Sequence, residues 1–186
     1  MASDVKNDKK NNVLFFGRIS QYKGIEYLCE AMEIVRKDVP NATLTIAGSG
    51  RIYFDINPYM NKGYIDLYNR FIKTEEIATM LKQCSICVCP YTDATQSGVI
   101  MTSFALSKPV IASNVGGLGE MIDEGKSGLL VEPKNPVALA NAILKLLKNP
   151  IELARMEAYI HESYYKGKDS WLSICLLYTS PSPRDT

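Results

Sequence analysis

This 186-residue sequence carries almost no net charge: 21 Lys and Arg stand against 20 Asp and Glu, a formal +1. That balance gives no electrostatic reason to expect nucleic acid or an anionic membrane surface as the main partner. No run approaches the roughly 18 apolar residues that a membrane span needs. The lead Met1–Lys10 is polar and has no apolar signal core, so the cytoplasm is the expected location. Metal-ligand patterns are also scarce. Cys84 and Cys87 form a C-x-x-C, but no second pair and no nearby histidine completes a zinc set. They fall in the apolar run Cys84–Cys89, which reads as a buried strand, so the thiols are expected to pack as small hydrophobes in a reducing compartment. The single histidine, His161, lies late in the chain, far from every glycine turn, and reads as surface. No acidic pair has metal spacing, so no metal is expected.

What remains is an ordinary globular composition, 46% apolar and 22% charged. The length suits one α/β domain with a sizeable core. The end is different. Cys175–Asp185 reads CLLYTSPSPRD and shares none of the pattern before it. It resembles the in-frame translation of a transposase-type sequencing adapter, so residues 175–186 are expected not to be native and are set aside from the fold. Three further segments are expected: a polar lead (1–12), one domain (13–165), and a helix cut short at 166–174.

Along the domain, short apolar runs alternate with amphipathic ones. Val13–Gly17, Ala42–Ala47, Ile65–Ile72, Ser85–Cys89, Pro109–Ala112 and Gly128–Val131 read as strands. Ile25–Lys37 reads as a helix, closed by Pro40. Further helices are expected from Thr74, as N-cap with Glu76 in the first turn, from Gly98 to Leu106, from Leu118 to Ile122, and from Pro136 to about Asn149. A final helix is expected around Tyr159–Ile174. Residues 51–64 carry no clear pattern. The alternation specifies an α/β fold, a Rossmann-like parallel sheet with helices on both faces.

In such folds a ligand sits outside the carboxyl ends of the strands, where glycine turns admit it to the backbone. Three turns qualify. Gly17–Gly24 places Arg18 and Lys23 ahead of a helix N-terminus, where cations and the helix dipole converge on phosphate. Thr95–Val99 again precedes a helix, with Asp93, Thr95 and Gln96 offering hydrogen bonds to hydroxyl-rich groups. Ser97 and Gly98 there also suit plain capping. Asn114–Glu120 is glycine-rich, and its glycines also suit tight turns.

In order and spacing, FFGRxxxxKG (15–24), IAGSG (46–50), the stretch from Asn69–Ile72 to Pro90-Tyr91, TQSGV (95–99), KPVIASNVGGLGE (108–120) and GLLVEP (128–133) resemble the C-terminal domain of family-4-like retaining glycosyltransferases of GT-B fold. The resemblance covers about residues 12–150. It implies that Arg18 and Lys23 serve the chemistry by holding the donor's diphosphate. Gly17 and Gly48 would lie close to the nucleotide, and Phe71 and Ile72 would present backbone groups to the base. Ser97, Gly98 and Val99 would help hold phosphate, with Asp93, Thr95 and Gln96 facing the donor sugar. No cofactor and no metal would be needed, the nucleotide-diphosphate sugar (UDP or GDP type) being substrate. Many members carry two glutamates separated by seven residues. Those positions here are Ala94 and Thr102, with Asp93 beside the first, and Thr102 offers the ribose a hydroxyl in place of a carboxylate. Glu120 reads as a helix-capping residue.

The implied function is transfer of a hexosyl group from a nucleotide sugar to a glycan or lipid-linked acceptor. The lipid-linked case leaves room for peripheral membrane contact. Because the resemblance begins at the second GT-B domain, an N-terminal acceptor-binding partner is expected in cis or in trans. The alternative is a nucleotide-sugar-binding module without independent catalysis. A dinucleotide-binding oxidoreductase is the third reading, and the first strand is not followed by the G-x-G-x-x-G that it requires.

Overall fold

The computed structural model describes residues 10–165. Six parallel strands form one sheet: β1 (Asn12–Phe16), β2 (Thr43–Gly48), β3 (Ile65–Asn69), β4 (Ile86–Cys89), β5 (Val110–Ser113) and β6 (Gly128–Val131). Their spatial order is β3-β2-β1-β4-β5-β6. The helices are α1 (Ile25–Asp38), α2 (Asn57–Met60), α3 (Thr74–Gln83), α4 (Gly98–Ala105), α5 (Leu118–Met121), α6 (Pro136–Leu147) and α7 (Pro150–Ile160). From β1 the chain steps outward to β2, but from β4 it steps the other way to β5. Right-handed crossovers therefore put α1 and α4 on opposite faces of the sheet. Every residue of β1, β4 and β5 is buried, as strands covered on both faces must be. Edge strand β3 is only partly covered, exposing Asp66 and Asn69. Asn12 is the polar exception inside β1, and its side-chain amide donates to the hydroxyls of Thr43 (2.9 Å) and Thr45 (3.1 Å) on β2.

The expected strands and helices are present, with three corrections. β3 stops at Asn69 rather than Ile72, because its partner β2 ends at Gly48, whose carbonyl accepts the Arg70 N–H (3.0 Å) as the last bond of the ladder. The cap of α3 is Lys73, not Thr74; the Glu76 carboxylate accepts the Lys73 N–H at 2.9 Å, making Thr74 the first helical residue. The final helix starts at Pro150 rather than near Tyr159. Asn149-Pro150 ends α6 and also opens α7, since Asn149 accepts the Glu152 N–H and proline suits a first helical position. One wide helical turn, His161–Tyr165, follows, and Tyr164 stacks on Phe104 of α4 with ring centroids 4.7 Å apart. The expected helix over 166–174 and the residues 175–186 lie outside the described residues. Segment 51–64 contains only the single-turn α2. Cys29, Cys84, Cys87 and Cys89 are all free and buried. Among the described residues no helix is long and apolar enough to cross a membrane.

Candidate functional site

The strand order reverses between β1 and β4, and at such a switch point the loops leaving the two strands part to make a crevice. The loop from β1 begins at Gly17, whose φ of +121° excludes most side chains. Its N–H donates to the Ala47 carbonyl (3.0 Å). Gly48 is buried directly against it, and a Cβ there would come within 1.8 Å of the Gly17 carbonyl oxygen. Across the crevice, a Cβ on Gly17 would lie 3.3 Å from Val99 of α4. The exit of β1 and the first turn of α4 are thus in contact with no side chain from Gly17 between them.

Arg18 is exposed on this loop. Gln21–Lys23 then makes one tight helical turn, and Gly24 in left-handed conformation (φ +68°) starts α1. Lys23 is half-buried, its ammonium 4.1 Å from the ring centroid of Tyr91 and 5.1 Å from that of Tyr22. The two rings meet edge to face at 6.4 Å. The Thr92 N–H donates to the Tyr22 carbonyl (2.8 Å), tying the β4 loop to the β1 loop through the backbone.

The β4 loop carries Asp93, Thr95 and Gln96, all exposed at the crevice mouth, and Ser97, which is buried. Its outer side rests on the third glycine turn. A Cβ on Gly116 (φ +49°) would come within 1.7 Å of the Ala94 carbonyl oxygen, and one on Gly117 within 2.1 Å of that of Thr95. The Asn114–Glu120 turn thus supports the second loop from behind. Glu120 sits exposed in the first turn of α5. Thr102, one turn into α4 and three residues from Val99, is only 3% exposed, and its hydroxyl has no partner. The Ser20 hydroxyl on the β1 loop is likewise buried and unpartnered.

Phe71 and Ile72 sit farther along the same edge of the sheet, past β3. Phe71 is 79% exposed, whereas Ile72 is buried. Asn69 fixes this corner: its side-chain amide donates to the Gly50 carbonyl (3.0 Å) and accepts the Gly50 N–H (3.1 Å). Arg70 and Glu76 form a two-pronged ion pair beside it, at 2.9 and 3.1 Å. Arg70 together with the Lys73 N–H holds the Glu76 carboxyl well below the usual carboxylate range, at about 2. His161 is exposed, far along the chain from these loops.

The structure therefore gathers Gly17, Lys23, Gly48, Ser97, Gly98 and Val99 around the switch point. Arg18, Asp93, Thr95 and Gln96 line its rim, Thr102 is buried below, and Phe71–Ile72 flanks it at the β3 end. Tyr22, Tyr91 and Asn69 fall inside the segments read from the sequence, but the sequence assigned them no role. The signal in the text was slight: an aromatic residue beside the loop lysine, another just past the β4 proline, and an amide at a strand end.

A family model for glycosyl transferases group 1 matches residues 10–149. An uncharacterised glycosyltransferase of Methanocaldococcus jannaschii is 35% identical over 139 residues, covering 73% of this chain and 38% of that protein. The chain belongs to the glycosyl transferases group 1 family. It spans well under half the length of that relative. The crystallised C-terminal domain of a glycosyl transferase group 1 family protein from Francisella tularensis (LpcC) superposes with a TM-score of 0.73 at 18% identity, over 89% of this chain and 95% of that one. Anabaena HepE, crystallised with UDP, superposes with a TM-score of 0.73 at 18% identity, over 95% of this chain and 52% of that one. At those identities the likeness establishes the fold alone, a Rossmann-like parallel α/β sheet shared with those structures.

Proposed function

We propose that the switch-point crevice binds a nucleoside diphosphate sugar of UDP or GDP type. In this reading the chain is the donor half of a retaining cytoplasmic glycosyltransferase that moves a hexosyl group to a glycan or lipid-linked acceptor. One observation carries the reading: the β1 loop bearing Arg18 and Lys23 lies against the first turn of α4, with Val99 at 3.3 Å from the Cβ position of Gly17. Lys23 sits on the ring of Tyr91, whose hydroxyl meets the α4 cap residue Ser97. A cation thus lies beside the helix N-terminal amides, with Arg18 exposed on the same loop. The solved UDP complex of a protein with the same fold adds support.

The main task is to stabilise charge on the departing diphosphate. Fixed N–H donors and cations do this best when they need no reorganisation during reaction, and Lys23 is already seated on Tyr91. Gly48 keeps the floor flat, and Phe71 with Ile72 borders the base. Asp93, Thr95 and Gln96 meet the sugar hydroxyls, and the Thr102 hydroxyl serves the ribose. The reading needs no metal and no cofactor. Acceptor binding falls to a second Rossmann-like domain, supplied in cis or in trans. Titration calorimetry with UDP and GDP tests the site: the Arg18→Ala/Lys23→Ala double variant is expected to lose nucleotide binding. Affinity retained in that variant would sink the assignment.

A further inference from the structure

We infer that Tyr91 is a positioning residue of the donor site: it seats the Lys23 ammonium and turns the Ser97 hydroxyl away from α4, leaving that helix's first amides open to an anion. The inference rests on the donor-site reading above. Tyr91 is 1% exposed, and its ring lies 4.1 Å from Lys23 Nζ. Its hydroxyl and that of Ser97 share a hydrogen bond of 3.3 Å, long for two hydroxyls.

Ser97 occupies the N-cap position of α4 with φ −138° and ψ 116°, a backbone conformation suited to capping. Serine there ordinarily accepts an N–H from the second or third helical residue, here Val99 or Ile100. Ser97 makes no such bond. The same chain caps elsewhere in the ordinary way: Asn135 accepts the Ala138 N–H (2.9 Å) on α6, and Asn149 accepts the Glu152 N–H (3.2 Å) on α7. The other α-helices without a side-chain cap begin on glycine, isoleucine or lysine, so among α-helices with a capping-type residue at that position α4 is the one left open. Ser20, ahead of the short turn Gln21–Lys23, makes no capping bond either. The Ser97 hydroxyl is directed to Tyr91 and Cys89 instead of to the helix amides.

Ser97 is 5% exposed, so water is a poor substitute partner. The Cys89 sulfur beside the two hydroxyls is a weak acceptor. Removing the Tyr91 hydroxyl leaves the helix amides as the best remaining partner for Ser97. A capped first turn then competes with phosphate. Phenylalanine keeps the ring beneath Lys23, so Tyr91→Phe isolates the hydroxyl's effect from the cation–π contact.

The experiment measures UDP and GDP dissociation constants by calorimetry on the full chain, for wild type, Tyr91→Phe and Tyr91→Phe/Ser97→Ala. Tyr91→Phe is expected to raise Kd about fivefold, the weight of one helix cap. The double variant is expected to bind several-fold tighter than Tyr91→Phe, because the competing hydroxyl is gone. Amide exchange without nucleotide supplies a second readout: Val99 or Ile100 is expected to be better protected in Tyr91→Phe than in wild type. A purely structural tyrosine would move neither the rescue nor that protection. Wild type that binds neither nucleotide defeats the donor-site reading itself. Wild type that binds, with Tyr91→Phe binding equally well or the double variant no better than Tyr91→Phe, overturns this inference alone.

Discussion

Gly24 and Gly63 offer a matched pair of perturbations. Both are left-handed, at φ +68° and +78°, so alanine at either meets similar backbone strain. Their surroundings differ completely: a Cβ on Gly63 meets nothing within 4 Å, whereas one on Gly24 would lie 2.0 Å from the Pro90 carbonyl oxygen. Left-handed strain costs an L-residue about 1–2 kcal/mol, partly offset by about 0.4–1 kcal/mol because alanine restricts the unfolded chain. Gly63→Ala should therefore cost about 1 kcal/mol. Gly24→Ala adds overpacking against a backbone atom that cannot rotate away, typically about 1–3 kcal/mol. For a domain of this size each kcal/mol moves Tm by about 2–4 °C. The expected losses in calorimetric melts are about 2–4 °C for Gly63→Ala and roughly 5–15 °C for Gly24→Ala. Opening the contact also lifts Lys23 from Tyr91, so UDP affinity should fall only in Gly24→Ala. Equal melting losses in the two variants would refute the view that close backbone approach holds the crevice together.

Two further outcomes follow from the electrostatics. Glu76 titrates at about 2 in the folded chain, lowered first by Arg70, and the sign is that of a depressed carboxylate. Its stabilising effect is present above the ordinary carboxylate range and fades as pH falls toward 2. The Tm difference between wild type and Glu76→Gln should thus shrink from pH 6 to pH 2, and it should shrink at high salt because the pair is exposed; a difference flat with pH would contradict the assignment. Burial pushes the Cys29 and Cys84 thiols up to about 12. In a Cys175→Ser background, Ellman's reagent should therefore label no thiol before unfolding, and prompt labelling of the native protein would show the core under α1 or around β4 to be open.

The sheet was legible because its strands announce themselves locally. Val13-Leu14-Phe15-Phe16 and Ile86-Cys87-Val88-Cys89 are apolar on both faces, which only a doubly covered strand tolerates. Gly17, Gly24 and Gly98 marked the turns for the same local reason. Boundaries failed where a tertiary contact decides them. Nothing in the run Ile65–Ile72 says that its partner strand will end at Gly48, more than twenty residues before Asn69. Lys73 is a poor capping residue by type, and it serves only because Glu76 reaches back to its N–H. Asn149-Pro150 is locally ambiguous, since one dipeptide can close a helix or open one. Tyr91 was the hardest to read. Its meaning depends on Lys23, which only the β1–β4 pairing brings beside it.

These contacts also bear on Ala94 and Thr102, the two positions where the resemblance leads one to expect glutamates. The β4 loop is held through its main chain at four points: Pro90 against Gly24, Thr92 to the Tyr22 carbonyl, Ala94 against Gly116, and Thr95 against Gly117. None of the four uses the side chain of residue 93, 95 or 96. The loop's shape therefore does not depend on what those side chains are, and the exposed Asp93, Thr95 and Gln96 are available to a ligand. A glutamate at position 94 is not needed to build the crevice, because the backbone there is fixed from behind by glycine. Thr102 is a different case. It lies within the core of α4, where its unpartnered hydroxyl costs stability unless something bonds it. In the proposed donor site this hydroxyl is the one assigned to the ribose.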